Sequence, residues 1–422
     1  MNNSIDTTRN WPLIRLILFR FFATYFGIYV LFNMPLLVFD TLSDHIWDIP
    51  VTWVGRLLVS PGFKITVWSN GSGDTTFNYL ALFCQAILAL ALSIIWWAFD
   101  YKRKNYDKLL YWLMVIFRYA LAVSMMNYGG AKIAKTQFPF PWLFQLEQPL
   151  GQSSPMGLAW VYMGHSTGYN LFIGFAEFFG GFFLLFRRTK LFGALLSMTI
   201  MVNIMAMNFF YDIPVKLFST HLFCIALFIT LPDFNRLINF FFLNKPVPAQ
   251  TSWYPIYQRK WKRITHIALK YFAVAIILYT QICGIRFSQK RLNKNNAIPP
   301  LYGIYEVKNI VYHNYQATPI ADSSLRWKKI YIDRGGYVFA HDIRDNVNGE
   351  EAKFDTIHKN ISWQSGNNNI QLHYTVPAKD SLTLNGKVGA DSVSIALLKK
   401  DANNFILVTR GFHWINEHSY NK

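Results

Sequence analysis

The residues in this chain that could do chemistry are polar side chains set inside otherwise apolar runs. Lys132, Glu177 and His221 are the candidate catalytic groups, an ammonium or imidazole to donate a hydrogen bond and a carboxylate to exchange a proton. Arg118, Asn127, Tyr128, Asn208, Asp212 and Lys216 are the candidate ligand-binding groups around them. A charged side chain at membrane depth costs about 3 kcal/mol, so each is expected to face a bundle interior and mark a site. Structural roles stand beside the chemical ones. Arg118 and Glu177 would serve equally as an ion pair gluing two spans, and Lys132, Lys135 and Lys216 as snorkelling anchors. Asp212, two residues before Pro214, suits a helix N-cap. Gly180-Gly181 suits close packing between helices.

The 37 Phe, 23 Tyr and 14 Trp are mostly what a lipid-facing surface requires and mark no cofactor box. His221 lacks a second intramembrane histidine at matching depth, and no haem or metal site is evident. The three cysteines form no CxxC pair.

These residues must be positioned by membrane helices. Only 15% of the 422 residues are charged, against about 25% in soluble domains, while 52% are hydrophobic. The net charge of +18 does not read as a nucleic-acid surface at that charge density. Apolar runs of about 20 residues each suffice to span a bilayer, and they fall at 13–38, 77–99, 109–128, 170–186, 191–210, 216–231 and 266–285. The first run has no small-residue cleavage site after it and reads as a retained span. With the N-terminus inside, the inner loops hold fifteen Lys and Arg, including Lys102, Arg103, Lys104, Arg187 and Arg188. The outer loops hold five: Arg56, Lys64, Lys132, Lys135 and Lys216. The first outer loop is acidic instead, with Asp40, Asp44, Asp48 and Asp74. That asymmetry sets the expected orientation. The aromatic, proline-rich loop at 136–168 reads as a lid or an interfacial belt, with a helix starting at Ser154-Pro155.

Beyond residue 288 the chain turns polar, with strand-like alternation at 304–310, 327–333, 337–342, 370–376, 382–388, 392–398 and 403–409. Arg334-Gly335-Gly336, Asn348-Gly349, Gly366-Asn367-Asn368 and Asn385-Gly386 read as the turns between them. The expected organisation is a cytoplasmic N-terminus (1–12), a helical membrane bundle of about seven spans (13–287) and a C-terminal antiparallel β-barrel or sandwich (288–422).

The segment 109–231 resembles the DoxX/DoxD-like family of four-helix membrane proteins. The matching pieces are Gly129-Gly130-Ala131-Lys132-Ile133, Phe175-Ala176-Glu177-Phe178-Phe179-Gly180-Gly181 and the turn Arg187-Arg188-Thr189-Lys190. The resemblance implies a DoxX-like four-helix core and a component of a quinone- or thiol-linked redox system, with a redox partner protein or a lipophilic small molecule beside membrane lipid. It also implies a bacterial inner membrane, with the N-terminus cytoplasmic and the β-domain periplasmic. A more distant likeness is to the membrane domain of vitamin K-dependent carboxylases, where Lys132 would take a catalytic lysine's place, although Ala131 stands where a second lysine is expected. The opening Gly303-Ile304-Tyr305-Glu306-Val307 is similar to the first strand of lipocalin-like barrels. The alternative function is a non-catalytic membrane anchor presenting a periplasmic ligand- or partner-binding β-barrel.

Overall fold

The computed structural model describes residues 10–34, 45–66, 71–247, 253–312, 327–365, 368–389, 391–401 and 405–421. Asp40 and Asp44 of the acidic loop, the end of the first predicted span, Gly366-Asn367 and the start of the 403–409 segment lie outside them. The described chain forms two compact units, 1–133 with 168–285 and 134–167 with 286–422.

In the first unit, apolar sequence makes long helices: α1 (Leu13–Asn33), α2 (Asp48–Leu58), α3 (Thr76–Phe99) and α4 (Asp107–Ile133). Thr75 caps α3, its side chain accepting from the Asn78 amide while Asn78 returns a bond to the Thr75 amide. After α5 (Leu143–Glu147) and α6 (Pro155–His165), which belong to the second unit, come α7 (Thr167–Leu184), α8 (Lys190–Phe210), α9 (Lys216–Thr230), α10 (Phe234–Phe241) and α11 (Lys260–Asn295). Six stretches are long and apolar enough to cross a membrane: α1, α3, α4, α8, Lys216–Phe241 and α11. The protein is thus a multi-pass membrane protein by its helices. The fourth expected span is the helix α7, of 18 residues, whose Asn170, Glu177 and glycines dilute its hydropathy.

The core of this unit gathers Phe117, Leu121, Met125, Leu184, Ile225 and Ile229 from α4, α7 and α9 against α1. Outward positions are apolar as well: Leu90, Ile94, Phe172 and Phe179 are exposed, as a lipid-facing surface requires. Gly129-Gly130 lies in the last turns of α4, which ends at Ile133. Two elements run differently from their sequence expectation. An extra helix, α2, packs Val51 and Val54 on Phe77, Leu80 and Ala81. The last helix extends to 36 residues, about 54 Å.

The second unit is a nine-stranded antiparallel barrel, nearly closed: β1 (Gly303–Tyr312), β2 (Trp327–Ile332), β3 (Tyr337–Asp342), β4 (Val347–Glu351), β5 (Lys353–Asp355), β6 (Asn360–Ser365), β7 (Asn368–Ala378), β8 (Ser381–Val388) and β9 (Asp391–Lys400). Every sequence neighbour is a sheet neighbour except β4 and β5, and β1 closes on β9. Only Ala352 separates β4 from β5, whereas the commonest hairpin turns use two residues. The chain therefore runs on through Ala352, its first half bonded to β3 and its second half to β6. Inward side chains make one apolar cluster, with Trp327 and Trp363 rings 6.0 Å apart.

Strands at 304–310, 327–333, 337–342, 370–376, 382–388 and 392–398 fall where the alternation places them. Two expected turns are corrected. Asn348-Gly349 lies inside β4 and Asn385-Gly386 inside β8. A Cβ at Gly349 would meet the Phe339 ring across the ladder, and one at Gly386 the Gln371 carbonyl. The cross-strand neighbour, not a turn, excludes a side chain at both. The 403–409 segment is helical at Ile406–Thr409 (α12) and makes no strand there.

The aromatic loop is bound to the barrel. Asp333, fully buried, accepts from the Leu143 amide at 2.6 Å and the Arg334 amide at 2.7 Å. Arg334 donates to the Phe140 and Pro141 carbonyls at 2.8 and 3.0 Å. Gly335 and Gly336 take φ of 68° and 78° to turn the chain there, which glycine does without strain. Glu147, at the end of α5, receives Lys329 at 2.8 Å, Tyr331 at 3.0 Å and Lys400 at 2.5 Å. Burial pushes its pKa up, but the bonds from Lys329 and Lys400 outweigh that and hold it below the ordinary carboxylate range. Lys400 is raised in turn, chiefly by its bond to Glu147.

Candidate functional site

Glycines bring α4 and α7 together. A Cβ at Gly129 would lie 2.6 Å from the Gly174 carbonyl oxygen, and one at Gly174 would lie 2.9 Å from that of Gly129. One turn beyond this crossing, Lys132 Nζ sits 2.8 Å from each oxygen of Glu177. Both side chains are buried, at 5% and 2% exposure. The ammonium also lies 5.8 Å from the centre of the Tyr128 ring. A buried pair of this geometry satisfies both charges and is closed.

His221 has partners of its own. Its Nδ1 is 2.7 Å from the Leu217 carbonyl, which can only accept, so Nδ1 carries a proton. In the neutral ring Nε2 then accepts from Tyr25 Oη at 2.7 Å, and the ring stacks on Tyr29 at 4.0 Å. Both nitrogens are engaged within α1 and α9.

The remaining candidates are likewise engaged. Asn208 donates to Ser219 Oγ at 2.9 Å and to the Val215 carbonyl at 3.3 Å, tying α8 to the start of α9. Asn127 accepts from Gln281 of α11 at 2.8 Å. Lys216 pairs with Asp212 at 2.9 Å and approaches Asp74 at 3.9 Å. The N-cap expected of Asp212 is supplied by another residue. Asp212, at φ 50°, is turned outward, and Asp74 accepts from the Lys216 and Leu217 amides at 2.8 and 3.0 Å. Asp74 thus caps α9 from a distant loop, which local sequence patterns do not reveal.

The expected Arg118–Glu177 contact does not form. Arg118 is 14 residues before Lys132 on α4, about 21 Å along the helix. It lines a cleft of about 1010 Å³ together with Arg187, Lys190, Arg263, His266 and Lys270. Arg187, Lys190 and Arg263 are among the inner-loop cations that set the expected orientation, and nothing in the spacing marks them as one cluster with Arg118 and Lys270. A second arginine within a span, Arg20, is held by Tyr106 Oη at 2.9 Å and the Asp100 carbonyl at 3.1 Å. Among the described residues no group of three or more His, Cys, Asp or Glu could hold a metal.

Comparison with known proteins adds one relative of use. The chain is 35% identical over 125 residues to the uncharacterized protein YwoB of Bacillus subtilis (strain 168), a match covering 30% of this chain and 79% of that protein. No protein-family model matches the chain. No solved structure matches it.

Proposed function

The chain belongs to the family of Bacillus subtilis YwoB, and from that premise we propose that its helical unit is a membrane scaffold presenting the β-unit, not a reaction centre. The observation that carries this reading is the closure of the polar cluster: Lys132 is spent on Glu177, and His221 on Tyr25 and Leu217. A site that exchanges protons with a bound carrier needs a free donor or acceptor, and these atoms already have partners.

In this reading the membrane is a bacterial plasma membrane. Counting α7, whose 18 residues reach about 27 Å, as a seventh span sets the N-terminus and the β-unit on opposite faces. The fifteen inner-loop cations then face the cytoplasm and the β-unit is extracytoplasmic. Because the barrel's inward side chains form one apolar cluster, the β-unit acts through its outer surface toward a partner.

A DoxX-like redox component using a quinone is the competing reading, supported by a Lys–Glu pair buried at membrane depth. One experiment separates the two: small molecules extracted from the purified full chain in mild detergent, with its optical spectrum, for wild type, Glu177→Gln and Lys132→Ala. Variants that lose thermal stability, with no quinone or chromophore in the wild type, support the scaffold. A quinone present in the wild type and lost in both variants overturns it.

A further inference from the structure

The cleft around Arg118 differs from the closed pairs in having cations without carboxylates. We propose that it binds an amphiphile with a phosphate-type headgroup, with Arg118 and Arg187 holding the headgroup and the aromatic wall holding the apolar chain.

The cleft, about 1010 Å³, lies between α4, the turn leading into α8, and α11. That is the upper end of the range for small-ligand sites. None of its lining residues is an Asp or Glu. Lys190 is partly neutralised by Asp233 at 3.5 Å. Among the described residues, no ion pair joins Arg118, Arg187, Arg263 or Lys270 to a carboxylate. Arg118 is 7% exposed, and its Nε is buried with no hydrogen-bond partner. Its guanidinium has the Tyr119 ring at 5.2 Å, which offsets only part of the lost hydration. A planar guanidinium presents a fork of donors that matches phosphate oxygens bidentately.

The number of uncompensated cations calls for more than one negative charge, as a phosphomonoester carries near neutral pH. The rest of the wall is apolar and aromatic: Arg187 lies over Tyr254 at 4.2 Å, Tyr111 packs edge-on to Trp253, and Ile229 and Ile277 complete the surface. Such a wall has no use for a free phosphate ion and suits a ligand with an attached chain. This inference is independent of the scaffold reading, which concerns the Lys132 and His221 cluster.

The test is thermal unfolding of the delipidated full chain in mild detergent with added dioleoyl phosphatidate, dioleoyl phosphatidylcholine or inorganic phosphate. Phosphatidate is expected to raise the Tm saturably, and the other two to leave it in place. Arg118→Gln is expected to weaken the response to phosphatidate at least about tenfold, and Arg187→Gln to weaken it also. Without lipid, Arg118→Gln should not lower the Tm, since it removes a buried cation whose Nε has no partner, whereas loss of a structural cation would lower it. An equal shift with inorganic phosphate overturns the amphiphile, and an equal shift with phosphatidylcholine overturns the anionic headgroup. An unchanged response in Arg187→Gln overturns the site even if Arg118→Gln fails to fold.

Discussion

Gly129 and Gly174 face each other where α4 crosses α7, so closely that a Cβ on either would press on the other's carbonyl oxygen. That approach brings Lys132 within reach of Glu177 one turn on. Small residues act here as they do in membrane helix pairs generally, letting backbones touch where lipid gives no hydrophobic drive.

Alanine is a better helix former than glycine by about 1 kcal/mol, yet Gly129→Ala and Gly174→Ala are expected to lower stability by about 1–3 kcal/mol through overpacking. Gly27→Ala in α1, where a Cβ meets nothing within 4 Å, is expected to be neutral or stabilising. Thermal unfolding in one detergent compares the three, and equal behaviour would refute the crossing.

Removing one partner of the buried pair should cost more than removing both. Lys132→Met or Glu177→Gln alone is expected to destabilise by about 3–5 kcal/mol, and Lys132→Met with Glu177→Leu to recover most of that loss. A double-mutant cycle reads this directly. Additive losses would mean that the two charges are not coupled.

The cap supplied by Asp74 makes a similar contrast. Asp74→Ala is expected to cost about 1 kcal/mol, while Asp212→Ala, exposed beside Lys216, costs less than half of that. Equal costs would return the capping role to Asp212.

Glu147 ties the 134–167 segment to the barrel. Its folded pKa is depressed, so the stability it contributes is complete above the unfolded carboxylate value and disappears as pH falls through the folded one. The Tm of wild type should therefore drop more than that of Glu147→Gln between neutral pH and the acid range. Parallel curves would show that the carboxylate is not engaged in solution.

Membrane helices were legible because the bilayer demands a local property, an unbroken apolar run, and such runs announce themselves residue by residue. Alternation likewise announced β1, β2, β3, β7, β8 and β9. β4 had no such pattern, since Asn348–Glu351 carries no apolar side chain and owes its place to bonds with β3, while β5 and β6 alternate only briefly, around Phe354 and through Ile361 and Trp363. Glycine misled in the β-unit for one reason: at Gly349 and Gly386 it serves a neighbour on the adjacent strand, not its own dihedral angles.

Sequence alone determined that the chain crosses a membrane many times, carries a C-terminal β-unit and keeps its polar groups at few intramembrane positions. Tertiary structure decided who meets whom. Lys132, and not Arg118, meets Glu177; Asp74, and not Asp212, caps α9; and Arg118 joins Arg187 and Lys270 around one cleft. The physical reason is that cost is local and partnership is not. Burying a charge is costly wherever the residue sits in the chain, so its type and setting reveal it, but the group that satisfies it is chosen by how the helices cross.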